Sequence, residues 1–201
     1  TIDIIVQVYI FPLNDFSAQF HSGGEMAIID APNIGATETA LPFPIWQKLR
    51  WQYLLDTYPQ ELLLSKPVPT EWSAYDCLQH LVDVERVSTS VRLKAFLAGE
   101  GFPDFDPNQQ AEKDAPSSIL GSQFTEIRQD NLSLLAQFNE TDLVKEVRHA
   151  EYGMVSLSQF LHHLVGHDLM HTVQAEQAIM QPMIKGSGAW AVNYTAHIPS
   201  N

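Results

Sequence analysis

The sequence predicts an all-α fold, a four-helix bundle, on three observations. Apolar residues recur at helical spacing in four separate stretches, two of those stretches open on capping boxes, and the connection between the second and third is long enough to return along a bundle. A chain of 201 residues suits one domain with one core. Eleven Lys plus Arg against 24 Asp plus Glu leave a net charge of −13, which repels phosphate backbones and anionic lipid alike. Neither nucleic acid nor a membrane surface is therefore expected as a partner. With the single cysteine, Cys77, no intrachain disulfide can form, and a cysteine-poor chain with eight histidines suits the cytoplasm.

Residues 1–42 read as an extension and linker. Residues 2–11 are almost continuously apolar but too few to cross a bilayer, which takes about 20. No Lys or Arg precedes Lys48, so the basic leading segment of a secretory signal is missing. The run Ile4-Ile5-Val6-Gln7-Val8-Tyr9-Ile10 favours a strand that pairs with another element or swaps onto a second copy of the chain. A start at Met26 is the competing reading of this extension. Residues 30–44 are rich in Pro, Gly, Ala and Thr without periodicity, as a connecting segment is. The bundle is expected over residues 43–182, with a tail over residues 183–201.

In the first helix Ile45, Leu49, Tyr53 and Tyr58 make a stripe beside Trp46 and Leu54, about four turns long and running toward Leu62. Pro67 and Pro69 end that region. Ser73 with Asp76 is a capping box and opens the second helix, whose core face runs Ala74, Cys77, Leu81, Val84, Ser88, Val91 and Ala95 with His80 at its edge. Gly99 and Gly101 close it, and the Pro-rich connection over residues 99–116 hints at a crossover. A third, wholly structural helix is expected from Ser118 to Phe138. Residues 142–154 are too irregular for a helix; they read as an ordered loop, with a short hairpin as the alternative. Ser156 with Gln159 is a second capping box, and the fourth helix is expected to run to about Met180, ended by Pro182.

The core stripe of that fourth helix is Leu157, Phe160, Leu164, His167, His171 and Ala175. It places two histidines where leucine-type residues belong. A buried polar group without a partner costs about 1 to 3 kcal/mol, so the pair needs hydrogen bonds or a shared ligand. A spacing of four puts the two imidazoles on one face, about 6 Å apart at Cβ, and a third from His80 on a facing helix completes a set that holds a divalent metal and leaves a position open. His163 with His167 is the competing pair, on a less apolar flank. His21, His149 and His197 read as packed or surface residues. His167-Asp168-Leu169-Met170-His171 also invites comparison with the H-E-x-x-H of zinc proteases, but aspartate is one methylene short and no third ligand downstream is compelling.

The stretch Trp72-Ser73-Ala74-Tyr75-Asp76-Cys77-Leu78-Gln79-His80-Leu81-Val82-Asp83-Val84-Glu85, followed by Phe160-Leu161-His162-His163-Leu164-Val165-Gly166-His167-Asp168-Leu169-Met170-His171, resembles the DinB-like superfamily over about residues 43–180. The resemblance implies a four-helix bundle of crossover, up-down-down-up topology, with His80, His167 and His171 holding a divalent metal, zinc or nickel above all. Relatives include low-molecular-weight thiol transferases and proteins described as metal-dependent hydrolases. It thus implies an enzyme acting on a small-molecule substrate, in which the metal takes up a small thiol as thiolate. The alternatives are a hydrolase that activates water at the same position and a non-catalytic bundle associated with stress. A second copy of the chain is a candidate partner. Cys77 shares the core stripe and reads as a packed residue, while Asp83 and Asp168 stand one turn beyond and one residue beyond presumed ligands, either as supports for an imidazole or as solvated surface carboxylates.

Overall fold

The computed structural model describes residues 43–102 and 115–199. The strand expected over residues 2–11 and most of the 99–116 connection lie outside the described residues. Four rods carry the fold. The first is α1 (Phe43–Thr57), followed by the single turn α2 (Gln60–Leu63). Pro59 separates them, because it cannot continue the hydrogen-bond ladder and instead starts the new turn in extended geometry.

The second rod is α3 (Ala74–Val84), a wide π-helical turn (Glu85–Thr89) and α4 (Ser90–Ala98). The capping box at its start is complete: the Asp76 amide donates to Ser73 Oγ and the Ser73 amide to Asp76 Oδ2, each at 3.1 Å. Its end falls at Gly99, whose φ of 73° favours glycine. The third rod is α5 (Ser117–Leu135) and the fourth α6 (Leu157–Gly186), opened by the expected box of Ser156 and Gln159. A 3₁₀ turn (Glu140–Val144) and an antiparallel hairpin, β1 (Glu146–His149) with β2 (Gly153–Ser156), link the third and fourth rods. The hairpin, the alternative reading of that stretch, is the one realised. A last 3₁₀ segment (Gly188–His197) follows α6.

Two corrections concern helix phase and length. Val91, expected in the core, is 43% exposed, whereas Leu93 and Phe96 are fully buried. The π turn inserts extra residues into one turn, so the inward face beyond it moves on from the positions that a regular spacing selects. Pro182 does not end α6, which continues to Gly186. The ring removes one late hydrogen bond, but continuation buries Ile184.

Side-chain contacts fix the directions of the rods. Gln47 meets Thr172 and Arg50 meets Glu176, so α1 and α6 run parallel. Residues 74–82 pack with Leu120, Phe124, Ala175 and Ile179, while Leu93 and Phe96 pack with Leu135, Leu157 and Leu161. The second rod is therefore antiparallel to α6 and parallel to α5, which is the up-down-down-up order. Those same groups are two apolar clusters stacked along the bundle, and between them lies a polar layer. Gln47, Glu85, Arg128, Asn131, Asp168 and Thr172 are all buried there, at least one from each rod. No helix among the described residues is long and apolar enough to cross a membrane.

Candidate metal centre

His80 sits two turns into α3 because the capping box fixes where that helix begins. His167 and His171 follow Leu164 on the inward stripe of α6. Antiparallel packing of the two rods brings all three rings together. One nitrogen from each lies within 4.8 Å of those of the other two. The ring centroids of His80 are 5.2 Å from His167 and 4.6 Å from His171, and the last two are 4.5 Å apart.

The donor set suits a divalent cation. Nε2 of His80 stands 3.2 Å from Nε2 of His167; two nitrogens bound tetrahedrally at about 2.05 Å from one zinc ion would be roughly 3.3 Å apart. Nδ1 of His171 faces Oε1 of Gln174 at 2.9 Å, which assigns the ring proton to Nδ1 and turns the Nε2 lone pair toward the other imidazoles. Burial keeps all three rings neutral. It pushes His80 down to about 4, helped by His171, and His167 down to about 3, helped by its histidine neighbours and Arg92. His171 is also lowered by burial, against the pull of Gln174 and Asp168. Neutral imidazole is the form that ligates. The buried Nδ1 of His167 has no hydrogen-bond partner among the described residues.

These shifts fix the sign of a pH effect on the metal-free protein. The unfolded chain takes up protons at each histidine below about pH 6.5, while folded His80 and His167 resist until about 4 and 3. Protonation therefore favours the unfolded state across that window. The melting temperature is expected to be level from pH 8 to 7 and to fall as pH drops from 6.5 toward 4; a rise over that interval would contradict neutral, desolvated rings.

His163, the competing partner of His167, lies outside the cluster, with its ring 5.7 Å from that of His167. His149 is buried, stacked on Tyr152 at 4.6 Å and edge-on to Phe102, as a packed residue is. His197 is exposed, and His21 lies outside the described residues. Cys77 is fully buried and its thiol is pushed up to about 12, chiefly by burial, so it is no nucleophile. Asp83 and Asp168 are not surface carboxylates: they are 3% and 1% exposed. Asp83 accepts a bond from Gln79 at 3.3 Å, and Asp168 accepts a pair of side-chain bonds from Arg128. The protease comparison fails with it, since the residue in the glutamate's place is engaged elsewhere.

Two neighbours of the centre escaped the sequence reading. Trp72 stacks on His171 at 5.4 Å and tilts against His80 at 5.0 Å, walling one side of the cluster. Gln174 carries a signal that could have found it, since a carboxamide three residues beyond a candidate ligand on one helix can reach that ligand's second nitrogen.

Comparison with known proteins bears on the family and the fold. The model of the DinB superfamily matches residues 46–175. No curated protein matches the chain. Among solved structures it is similar to YfiT from Bacillus subtilis, described as a probable metal-dependent hydrolase with an unusual four-helix bundle topology. The TM-score is 0.61 at 16% identity, covering 70% of this chain and 83% of that one.

Proposed function

The chain belongs to the DinB superfamily, and on that premise we propose that it is a metal-dependent enzyme that joins a low-molecular-weight thiol to a small electrophilic substrate. The observation that carries this reading is the convergence of three neutral imidazoles from two rods within 4.8 Å. His80, His167 and His171 would hold the ion, Gln174 would orient His171, and Trp72 would exclude water on its side. A divalent cation there, zinc or nickel, supplies Lewis acidity, enough to deprotonate a coordinated thiol outright or to bring the pKa of water to about 7.

Thiol transfer is preferred over hydrolysis because of what the carboxylates do. Attack by water gains from a base that takes up its proton. Asp168, the acid between the two imidazoles of α6, is held by Arg128, and among the described residues no carboxylate belongs to the cluster. A thiol held there would give its proton to solvent on coordination, so its sulfur would attack without such a base. Cys77 is sealed in the core, so the thiol comes from outside. Hydrolysis remains the second reading, favoured by the likeness to a protein described as a probable metal-dependent hydrolase. A cytoplasmic location, where low-molecular-weight thiols are kept reduced, fits this chemistry.

The test is turnover by the metal-loaded protein of an epoxide or chloro-nitroarene with and without added thiol, beside ester and amide substrates without thiol. Thiol-dependent consumption of the electrophile, lost on chelation, is the expected result. Thiol-independent cleavage of an ester or amide would replace transfer by hydrolysis, and a native protein with no bound metal would leave a non-catalytic bundle.

A further inference from the structure

We propose that Arg128 is a positioning residue for the metal centre: by tying Asp168 on α6 to Glu85 on the second rod, it fixes the phase and separation of the two rods that carry the imidazoles and so sets the affinity for the cation. The inference rests on the metal-binding reading above and adds to it a residue from a third rod that is not one of the three candidate ligands.

The geometry is that of a clamp. Arg128 Nη1 donates to Asp168 Oδ2 at 2.6 Å and Nη2 to Oδ1 at 3.0 Å, a bidentate pair that fixes direction as well as distance. Nη2 also reaches Glu85 Oε1 at 3.0 Å. Asn131, one turn along α5, donates Nδ2 to Glu85 Oε2 at 2.8 Å and to the Glu85 carbonyl at 2.9 Å. Phe124 lies under the guanidinium, 4.9 Å from ring to Cζ. Arg128, Glu85 and Asp168 are 3%, 1% and 1% exposed, so no water competes for these bonds. Their placement relates them to the centre: Asp168 lies between His167 and His171, and Glu85 stands five residues beyond His80 at the start of the wide turn. Each carboxylate thus shares a rigid rod with a candidate ligand, and one guanidinium sets where those rods stand.

An arrangement like this is poorly explained by stability alone. Apolar side chains of similar volume commonly do as well or better in such a position, because two carboxylates and one guanidinium must all be stripped of water. Burial raises Glu85 against the pull of Arg128, a mark of that strain. Apolar packing, unlike a bidentate pair, leaves rods free to slide and rotate by fractions of a turn.

The test uses the full chain and zinc alone, with affinity read by competition against a chromogenic chelator and folding by the melting temperature of the metal-free protein. Three variants are compared with the native protein: Asp168→Asn, the triple Glu85→Leu with Arg128→Met and Asp168→Leu, and Arg50→Ala, which breaks the half-exposed pair between α1 and α6. The triple is expected to melt at or above the native temperature and yet to bind zinc about tenfold or more weakly, within the range found for residues that support ligands. Asp168→Asn should weaken zinc in the same direction, and Arg50→Ala should leave it unchanged. Native zinc affinity in a folded triple or in Asp168→Asn overturns the clamp and spares the metal site. No zinc binding by the native protein overturns the site, and the clamp with it.

Discussion

Replacing His167 by alanine is expected to reduce zinc affinity by about a hundredfold or more while leaving the metal-free protein at least as stable as before. The first effect follows from removing one of three nitrogens that lie within 4.8 Å of one another, since structural zinc binding of about 10 to 16 kcal/mol is shared among only four ligands. The second follows from the environment of the ring. His167 is neutral, its buried Nδ1 has no hydrogen-bond partner among the described residues, and its partners are other imidazoles. In the metal-free state such a side chain contributes little, and an apolar methyl is at no disadvantage. Calorimetry separates the two. Native protein with zinc at a hundred times its dissociation constant gains about 2.7 kcal/mol over the chelated form, and His167→Ala should gain no more than about 0.4 kcal/mol at that concentration. An equal zinc-dependent shift in the variant would remove His167 from the ligand set.

Arg128→Ala should behave in the opposite way, lowering stability by about 3 to 5 kcal/mol even without metal. Truncation leaves Glu85 and Asp168 facing each other without their cation, in sites 1% exposed. Water cannot reach them. By comparison Arg50→Ala, although it also removes a bidentate partner, should cost under about 1 kcal/mol, because Arg50 and Glu176 are 38% and 36% exposed and solvent takes over. For a domain of this size the larger loss lowers the melting temperature by roughly 6 to 20 °C. Urea unfolding of the two metal-free variants side by side reads the contrast; similar midpoints would mean that the buried cluster is more hydrated than its exposure indicates.

What could be read from the letters, and what could not, divides by the range of the interaction. The capping boxes at Ser73 and Ser156 are local patterns, three residues across, and both stand where the sequence puts them. The pairing of His167 with His171 is also local, and the approach of His80 followed from its place beside a core stripe. Arg128 is different. Its partners lie 40 and 43 positions away in the chain, and within its own helix nothing distinguishes it from a solvated arginine. For the same reason the letters leave Asp168 open between a support for an imidazole and a solvated carboxylate. The hairpin at residues 146–156 was ambiguous because four-residue strands offer too few positions for an alternation to stand out. Pro182 misled because the cost of a proline near a helix end is small enough for one buried isoleucine to offset.

The wide turn at Glu85–Thr89 has a bearing on how relatives of this chain are aligned with it. Beyond that turn the rod keeps its direction but not its angular count, so inward positions on its two halves belong to two different numbering schemes. A homologue whose rod is regular throughout can be superposed on this one only by opening a gap inside a continuous helix, where alignment methods resist placing one. Without that gap, the segment holding His80 will match correctly while Leu93 and Phe96 are set against a neighbour's solvent-facing residues, and the likeness will fade halfway along the rod although the structures do not diverge.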